Sequence, residues 1–404
     1  MIPIVFAAEA GTLELMDRTG ADVRAGPGAP TSYDALTAAT ARATVRDRRW
    51  SLNVGYSPTV SVEAIEGTPA TPYVLQAENV GAIWHARLLT LSLTEMGSFG
   101  WQYAANLVPQ PGALTQIQPV SRLPSTLAVL EMVSVGATVG AQYVPARRWA
   151  LGLIFGYTEA GGAREVDRAN SPLNFGLSGT ASATYAMTHL DSAFVRVFGL
   201  RAWTHSGPCL VTGATADTAN GSPATCAPDA DIGTAVVGDQ HVFSRSSTGM
   251  LGLGLGASRA RLGPDQPYST GYYPMALASY MTAFGPRDAR LSLRLDGQIA
   301  PLIDVRTGAV EYAALGSSTL RIETSTRAGL AVAVGILQSL SNEEERPTTT
   351  AYTSGTAEYP IGKYVSLTAI ASYFWQDQAG AAATSTFALF VGATMHTLPV
   401  RFPL

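Results

Sequence analysis

Apolar and polar residues alternate with a period of two along most of this chain. In "WSLNVGY" Trp50, Leu52, Val54 and Tyr56 share one face of an extended strand, with Ser51, Asn53 and Gly55 on the other. "WALGLIFGY" repeats the device with Trp149, Leu151, Leu153, Phe155 and Tyr157 on one face, and "RLSLRLDGQ" sets Leu291, Leu293 and Leu295 against Arg290, Ser292, Arg294 and Asp296. Windows with apolar residues at i, i+3, i+4 and i+7 are scarce, and glycine recurs too often for stable helices. The pattern predicts strands at residues 10–18, 35–45, 50–65, 73–85, 88–104, 126–144, 149–159, 173–187, 192–205, 240–257, 259–266, 271–284, 289–302, 309–324, 329–341, 349–359, 364–376 and 383–396.

Two kinds of connection alternate between these strands. Short ones are "RDRR", "HARL", "PARR", "THLD", "GPRD", "STRA" and "PIGK"; long ones include "PQPGALTQIQPVSRLPS", "EAGGAREVDRANSP", the segment around the cysteines and "SNEEERPTT". Short turns at one end and long loops at the other are the asymmetry of an outer-membrane barrel. Unpaired backbone groups in hydrocarbon cost several kcal/mol each, so such a sheet has to close. The expectation is one all-β domain over residues 10–404. It is a single closed antiparallel transmembrane β-barrel of about eighteen strands, with sixteen as the alternative, short periplasmic turns and long extracellular loops.

Composition agrees. Charged residues are only 14% and there are 40 glycines, too little charge to cover a soluble surface of this size. The apolar share is 47%, yet runs such as "LAVAVGIL" stop well short of the ~18 residues a spanning helix needs. The spacing of the strands varies too much for a solenoid. Net charge is −4 and no run of Lys or Arg builds a basic face, which removes electrostatic support for a nucleic-acid partner. Residues 1–9 of "MIPIVFAAEAG" read as a residual signal-like segment or as an extended amino terminus. Cys209 and Cys226 have no metal-ligand company, so a loop-closing disulfide is expected, worth roughly 3 kcal/mol, with two unlinked thiols as the alternative.

Candidate chemistry is sparse, and no cofactor is expected. "GMLGLGLGASR" lacks the spacing and following helix of a phosphate loop, and its glycines read as lumen-side positions. His189, Asp191 and Ser192 of "THLDS" crowd a short turn, where neighbours rarely face each other, so they read as a polar turn and not as a hydrolase site. "PLIDVRTGAVEY" reads as a hairpin. The candidate lumen lining is Arg245, Arg290, Arg294, Asp296, Arg321 and Glu323, charges that either orient a polar solute or only brace the wall. Tyr272, Tyr273, Tyr280 and Trp203 offer faces for sugar stacking, although interface girdles use the same residues. Trp50, Tyr56, Trp149 and Tyr157 are the candidate girdle, following Arg48–Arg49 and Arg147–Arg148 in hydrated periplasmic turns.

The segments "RRWSLNVGYSPTV", "LTEMGSFGWQYAANL", "RRWALGLIFGY" and "DVRTGAVEY" resemble the Wzp-type outer-membrane barrels of myxobacteria, partners in polysaccharide export. The resemblance covers most of the chain through strand-and-turn patterns and transfers no catalytic residue. It implies a conduit for a secreted polysaccharide in the cell outer membrane, working with a periplasmic polysaccharide export protein and set among outer-membrane lipid and lipopolysaccharide. A small-solute porin and a plugged structural or adhesion barrel are the alternatives.

Overall fold

The computed structural model describes residues 10–26, 29–65, 69–103, 129–168, 171–204, 207–208, 225–226, 229–261, 267–285, 289–303, 310–324, 328–340, 348–378, 383–397 and 400–402. Eighteen long strands follow one another around a closed antiparallel sheet. They are β1 (Ala10–Gly26), β2 (Ala29–Arg46), β3 (Trp50–Ile65), β4 (Thr71–His85), β5 (Leu89–Tyr103), β6 (Val129–Ala146), β7 (Trp149–Gly162), β8 (Asn174–Ala186), β9 (Asp191–Thr204), β10 (Asp229–Ser244), β11 (Ser247–Arg261), β12 (Ser269–Phe284), β13 (Ala289–Ile303), β14 (Val310–Thr324), β15 (Gly329–Ser339), β16 (Thr348–Pro360), β17 (Val365–Gln378) and β18 (Thr384–His396). Each strand pairs with its sequence neighbour. β1 closes the ring on β18, from Met16 opposite His396 to Ala25 opposite Phe387. Val400–Phe402 extends the seam beside Gly11–Leu13, and the amides of Thr397 and Leu15 bond across the break between them. No barrel edge is left at this seam, as hydrocarbon demands.

Directly opposite residues in a ladder point to the same face, so the register assigns every side chain to lipid or lumen. One row runs Trp50, Trp84, Leu91, Ala141, Leu153, Ala181, Val197, Ala235, Leu255 across β3 to β11. The next row, one residue over, is Ser51, Ile83, Ser92, Gly140, Ile154, Thr180, Phe198, Thr234, Gly256. The first is apolar throughout and open to the surroundings, with Leu255 71% exposed; it is the lipid face. The second carries the hydroxyls and lines the lumen. An outward apolar band on a closed sheet is the signature of an outer-membrane barrel, and the protein is one.

The turns after β2, β4, β6, β8, β10, β12, β14 and β16 are short and the connections at the other end are longer, apart from residues 27–28 between β1 and β2, so the short-turn end is periplasmic. The short turns close by backbone bonds such as Asp47 N–H to Trp50 O (2.9 Å) and Ala86 N–H to Leu89 O (2.7 Å). In "THLDS" the Thr188 hydroxyl donates to Asp191 Oδ2 at 2.6 Å and accepts the amides of Leu190 and Asp191. Asp191 also takes His241 Nδ1 at 2.6 Å from the neighbouring strand, so the stretch is a hydrogen-bonded turn.

The ladder corrects the predicted strands in two places. Residues 10–18 and 35–45 are parts of the much longer β1 and β2. The predicted strand 240–257 straddles a tight turn at Arg245–Ser246, so the real hairpin is β10 with β11; of the predicted strand 259–266, residues 259–261 are the end of β11 and 262–266 lie outside the described residues. "DADIGTAVVGDQH" looks like loop because its outward residues Asp229, Asp231, Asp239 and His241 are polar, yet all pair with β9. These positions lie near the strand ends, where an outward charge meets headgroups and not hydrocarbon.

Three carboxylates do face lipid inside the band. Glu78 stands six residues above Trp84 and Glu95 four above Leu91. At ~2.5 Å of height per residue after tilt, they lie roughly 15 and 10 Å into the ~25 Å apolar zone. Asp17 faces the same way and accepts the Thr37 hydroxyl at 3.2 Å.

Candidate functional site

The lumen is the site. Eighteen strands at ~4.8 Å spacing and ~40° tilt enclose a cylinder roughly 35 Å across between backbones, far more than wall side chains fill. Something else has to shape the passage.

One shaping element is a hairpin that leaves the wall. β12 and β13 pair only from Ala276–Ile299 to Phe284–Leu291. Beyond that point Ala300–Ile303 of β13 pairs with β14 alone, Ile303 opposite Val310, while Ser269–Met275 of β12 stays with β11. The peeled hairpin turns inward. Ile303, 1% exposed, packs in one cluster with Phe198, Leu200 and Ala202 of β9, Ala230 and Ile232 of β10, and Ala260 of β11, all on the lumen face. Tyr312 stacks on Tyr273 with centroids 5.3 Å apart and donates its hydroxyl to Pro274 O at 2.7 Å. Pro301 lies where a Cβ on Gly256 would come within 3.0 Å of its ring, so the glycine makes room for the hairpin. The split begins nine residues above Phe284, about 23 Å up after tilt, so the unpaired edge of β12 sits at the outer interface and not in hydrocarbon. The expected hairpin at 301–312 is therefore present in its flanks and narrows the extracellular half of the lumen; 304–309 lie outside the described residues.

The inner wall is chemically divided. Among the described inward residues of β5 to β8 none is charged, and Thr90, Ser92, Thr94, Ser134, Thr138, Ser178, Thr180 and Ser182 give a field of hydroxyls. Opposite, β13 and β14 carry the charges. Arg290 faces Glu323 and Ser292 faces Arg321 across the ladder. Arg294 Nε donates to Asp296 at 2.7 Å, and Arg321 pairs with Glu323 at 2.6 Å. Asp296 is nearly covered at 3% while the side chains of Arg321 and Glu323 are 63% and 52% exposed, so this patch shows the lumen the guanidiniums of Arg290, Arg294 and Arg321 and the one carboxylate of Glu323. Beside it Tyr352 lies flat against the wall: a Cβ on Gly335 would fall 2.1 Å from its hydroxyl. A third patch, near the extracellular end of β1 to β3, holds Asp22, Asp34 and Glu63 in one row with Arg24, which ion-pairs with both aspartates; all three acids are buried.

Five of the six expected lumen residues are thus brought together on β13 and β14. Arg245 is not among them, because it occupies the turn between β10 and β11 at the periplasmic rim. Gly252, Gly254 and Gly256 do face the lumen. Of the aromatic candidates Tyr273 faces inward, whereas Tyr272, Tyr280 and Trp203 face outward. Trp50 and Trp149 begin the outward face beside Trp84 and Tyr185, the Trp149–Tyr185 centroids 4.9 Å apart. Tyr56 stands six residues past Trp50, roughly 15 Å up, inside the band instead of at its far edge, and Tyr157 lies higher with its hydroxyl on Glu159 Oε2 at 2.9 Å. Cys209 lies outside the described residues, so the expected disulfide with Cys226 does too; the backbone of Thr225–Cys226 pairs with Gly207–Pro208.

No protein-family model matches the chain, and no characterised protein matches its sequence. Among solved structures it is similar to Pseudomonas aeruginosa OccK5 (OpdH), with 10% identity, TM-score 0.44, and 98% of this chain and 100% of that one covered. Acinetobacter baumannii OccAB1 aligns at 9% identity and TM-score 0.45, covering 96% and 97%. The ferric citrate transporter FecA aligns at 10% identity and TM-score 0.48, covering 93% of this chain and 61% of that one. Similarity at this level carries no function, and the fold stands on the strand pairing.

Proposed function

We propose that this barrel is a non-enzymatic channel for hydrophilic, carbohydrate-like solutes across the outer membrane. The observation that carries the reading is the inner wall: hydroxyls without charge on β5 to β8, facing a guanidinium-rich patch on β13 and β14, in a lumen too wide for its own side chains to fill. Hydroxyl walls exchange hydrogen bonds with a polyol without the desolvation cost that fixed charges impose. The inward hairpin favours a porin that sieves small solutes, since it narrows the extracellular half. Asp191, the acid of the "THLDS" stretch, is engaged by Thr188 and His241 in a turn.

A second reading keeps the lumen and changes the cargo to a secreted polysaccharide handed over by a periplasmic export protein. It is supported by the same hydroxyl wall and by the short-turn rim, which leaves the periplasmic mouth unobstructed by long loops among the described residues. Swelling of proteoliposomes in neutral sugars of graded size tests the channel: entry of mono- and disaccharides supports it, and exclusion of all of them by folded protein refutes it. A deletion strain separates the cargoes, with loss of surface polysaccharide supporting export and slowed sugar uptake with normal polysaccharide supporting the porin.

A further inference from the structure

The short turns share a property that their spacing in sequence conceals. Six of them are described throughout: Asp47–Arg49, Ala86–Leu88, Arg147–Arg148, Met187–Leu190, Arg245–Ser246 and Ile361–Tyr364. Five of them carry an arginine or a lysine, and Arg48, Arg49, Arg87, Arg147, Arg148, Arg245 and Lys363 are all exposed; the sixth, Met187–Leu190, carries only His189. The one acid in these turns is Asp47. Closing the barrel sets these cations, some 40 residues apart along the chain, into a collar around the periplasmic mouth. The collar continues upward: Arg42 and Arg46 of β2 face the lumen just above it, as do Arg290 and Arg321 across the barrel. Three exposed acids face the lumen at this end, Glu14 opposite Arg42, Glu323 paired with Arg321, and Glu358 near the end of β16, and the basic residues outnumber them; Asp22, Asp34 and Glu63 are buried near the opposite end and Asp296 is covered.

A ring of like charge at the mouth of a low-dielectric cylinder focuses its field along the axis and raises the local concentration of counter-charged solute by roughly 10- to 1,000-fold. We infer that the collar recruits anionic carbohydrate, bearing carboxylate or sulfate groups, from the periplasm into the channel. This rests on the channel reading above and adds to it a charge class and a side. The sugar body meets the hydroxyl wall of β5 to β8 while its anions pass from the rim arginines to Arg290 and Arg321. Phospholipid headgroups are the competing neighbour of the rim, since Trp50 and Trp149 begin the lipid face immediately beyond Arg49 and Arg148. Arginines committed to headgroups would leave the pore axis without a field.

The test is sided blockade in planar bilayers containing the full chain. Dextran sulfate or neutral dextran of matched length is added to one chamber at a time, and orientation is assigned by which chamber's protease clips the long loops. The expected result is blockade by dextran sulfate from the short-turn side at a concentration at least about tenfold below that for neutral dextran, an advantage that fades as salt rises. Replacing Arg48, Arg49, Arg147 and Arg148 together by Glu abolishes the advantage, and replacing them by Lys retains it, with heat-modifiable mobility confirming that each variant folds. Equal blockade by the two polymers, equal blockade from both sides, or blockade unchanged in the glutamate variant overturns the collar and leaves the channel standing. Folded protein that conducts nothing overturns both.

Discussion

Replacing Ile303 tests whether the inward hairpin sets the width of the passage. Its side chain is 1% exposed among Phe198, Leu200 and Ile232, so docking the hairpin on the wall buries it completely. Full burial of an isoleucine is worth roughly 2–3 kcal/mol, and truncation to alanine in a packed site costs about 2–4 kcal/mol. At tenfold per 1.4 kcal/mol, Ile303→Ala shifts the docking equilibrium by roughly 30- to 700-fold toward the undocked hairpin. Ile303→Asp goes further, because it also places an unpaired carboxylate against an apolar wall. The barrel itself keeps its ladders, since β13 and β14 stay paired below Ile299. The assay is single-channel conductance with the heat-modifiable shift of the folded barrel as control. Conductance and current noise are expected to rise from wild type to Ala to Asp, while Leu255→Ala on the lipid face changes neither. Equal conductance in all of them, with folding intact, would refute the constriction.

Other expectations follow from single contacts. Gly335→Val displaces Tyr352 from the wall into the lumen and lowers conductance without a change in ion selectivity. Glu78→Leu combined with Glu95→Leu removes two carboxylates from hydrocarbon and raises the unfolding midpoint in lipid vesicles by an amount worth on the order of 1–3 kcal/mol, less than an arginine at the same depth would cost. Thr188→Ala leaves two turn amides and Asp191 Oδ2 without their partner and lowers stability by about 1–2 kcal/mol in the same assay.

Much of the fold is legible in the sequence because lipid on one side and water on the other impose a period of two on every strand. The tryptophans and the glycine faces were readable for the same reason. The alternation misleads where it meets the interface: outward Asp229, Asp231 and Asp239 made β10 look like loop, which hid the turn at Arg245 and placed that residue in the lumen. The hairpin left a signal in β9, where Phe194, Phe198 and Leu200 occupy the face that a water-filled barrel should make polar. Inward apolar residues need a cover, and only the closed structure shows that β13 supplies it. The basic collar is illegible for a different reason. One or two basic residues in a turn make no cluster in sequence, and the turns form one only when the ring closes.

The central claim is that this closed barrel holds an open, hydrophilic passage. The measurement that tests it most directly is single-channel recording of the purified full chain in planar bilayers, with its folded state verified by heat-modifiable mobility. The account predicts stepwise conductance from the folded form, lost on unfolding. Folded barrel that inserts into the bilayer and carries no current would contradict it.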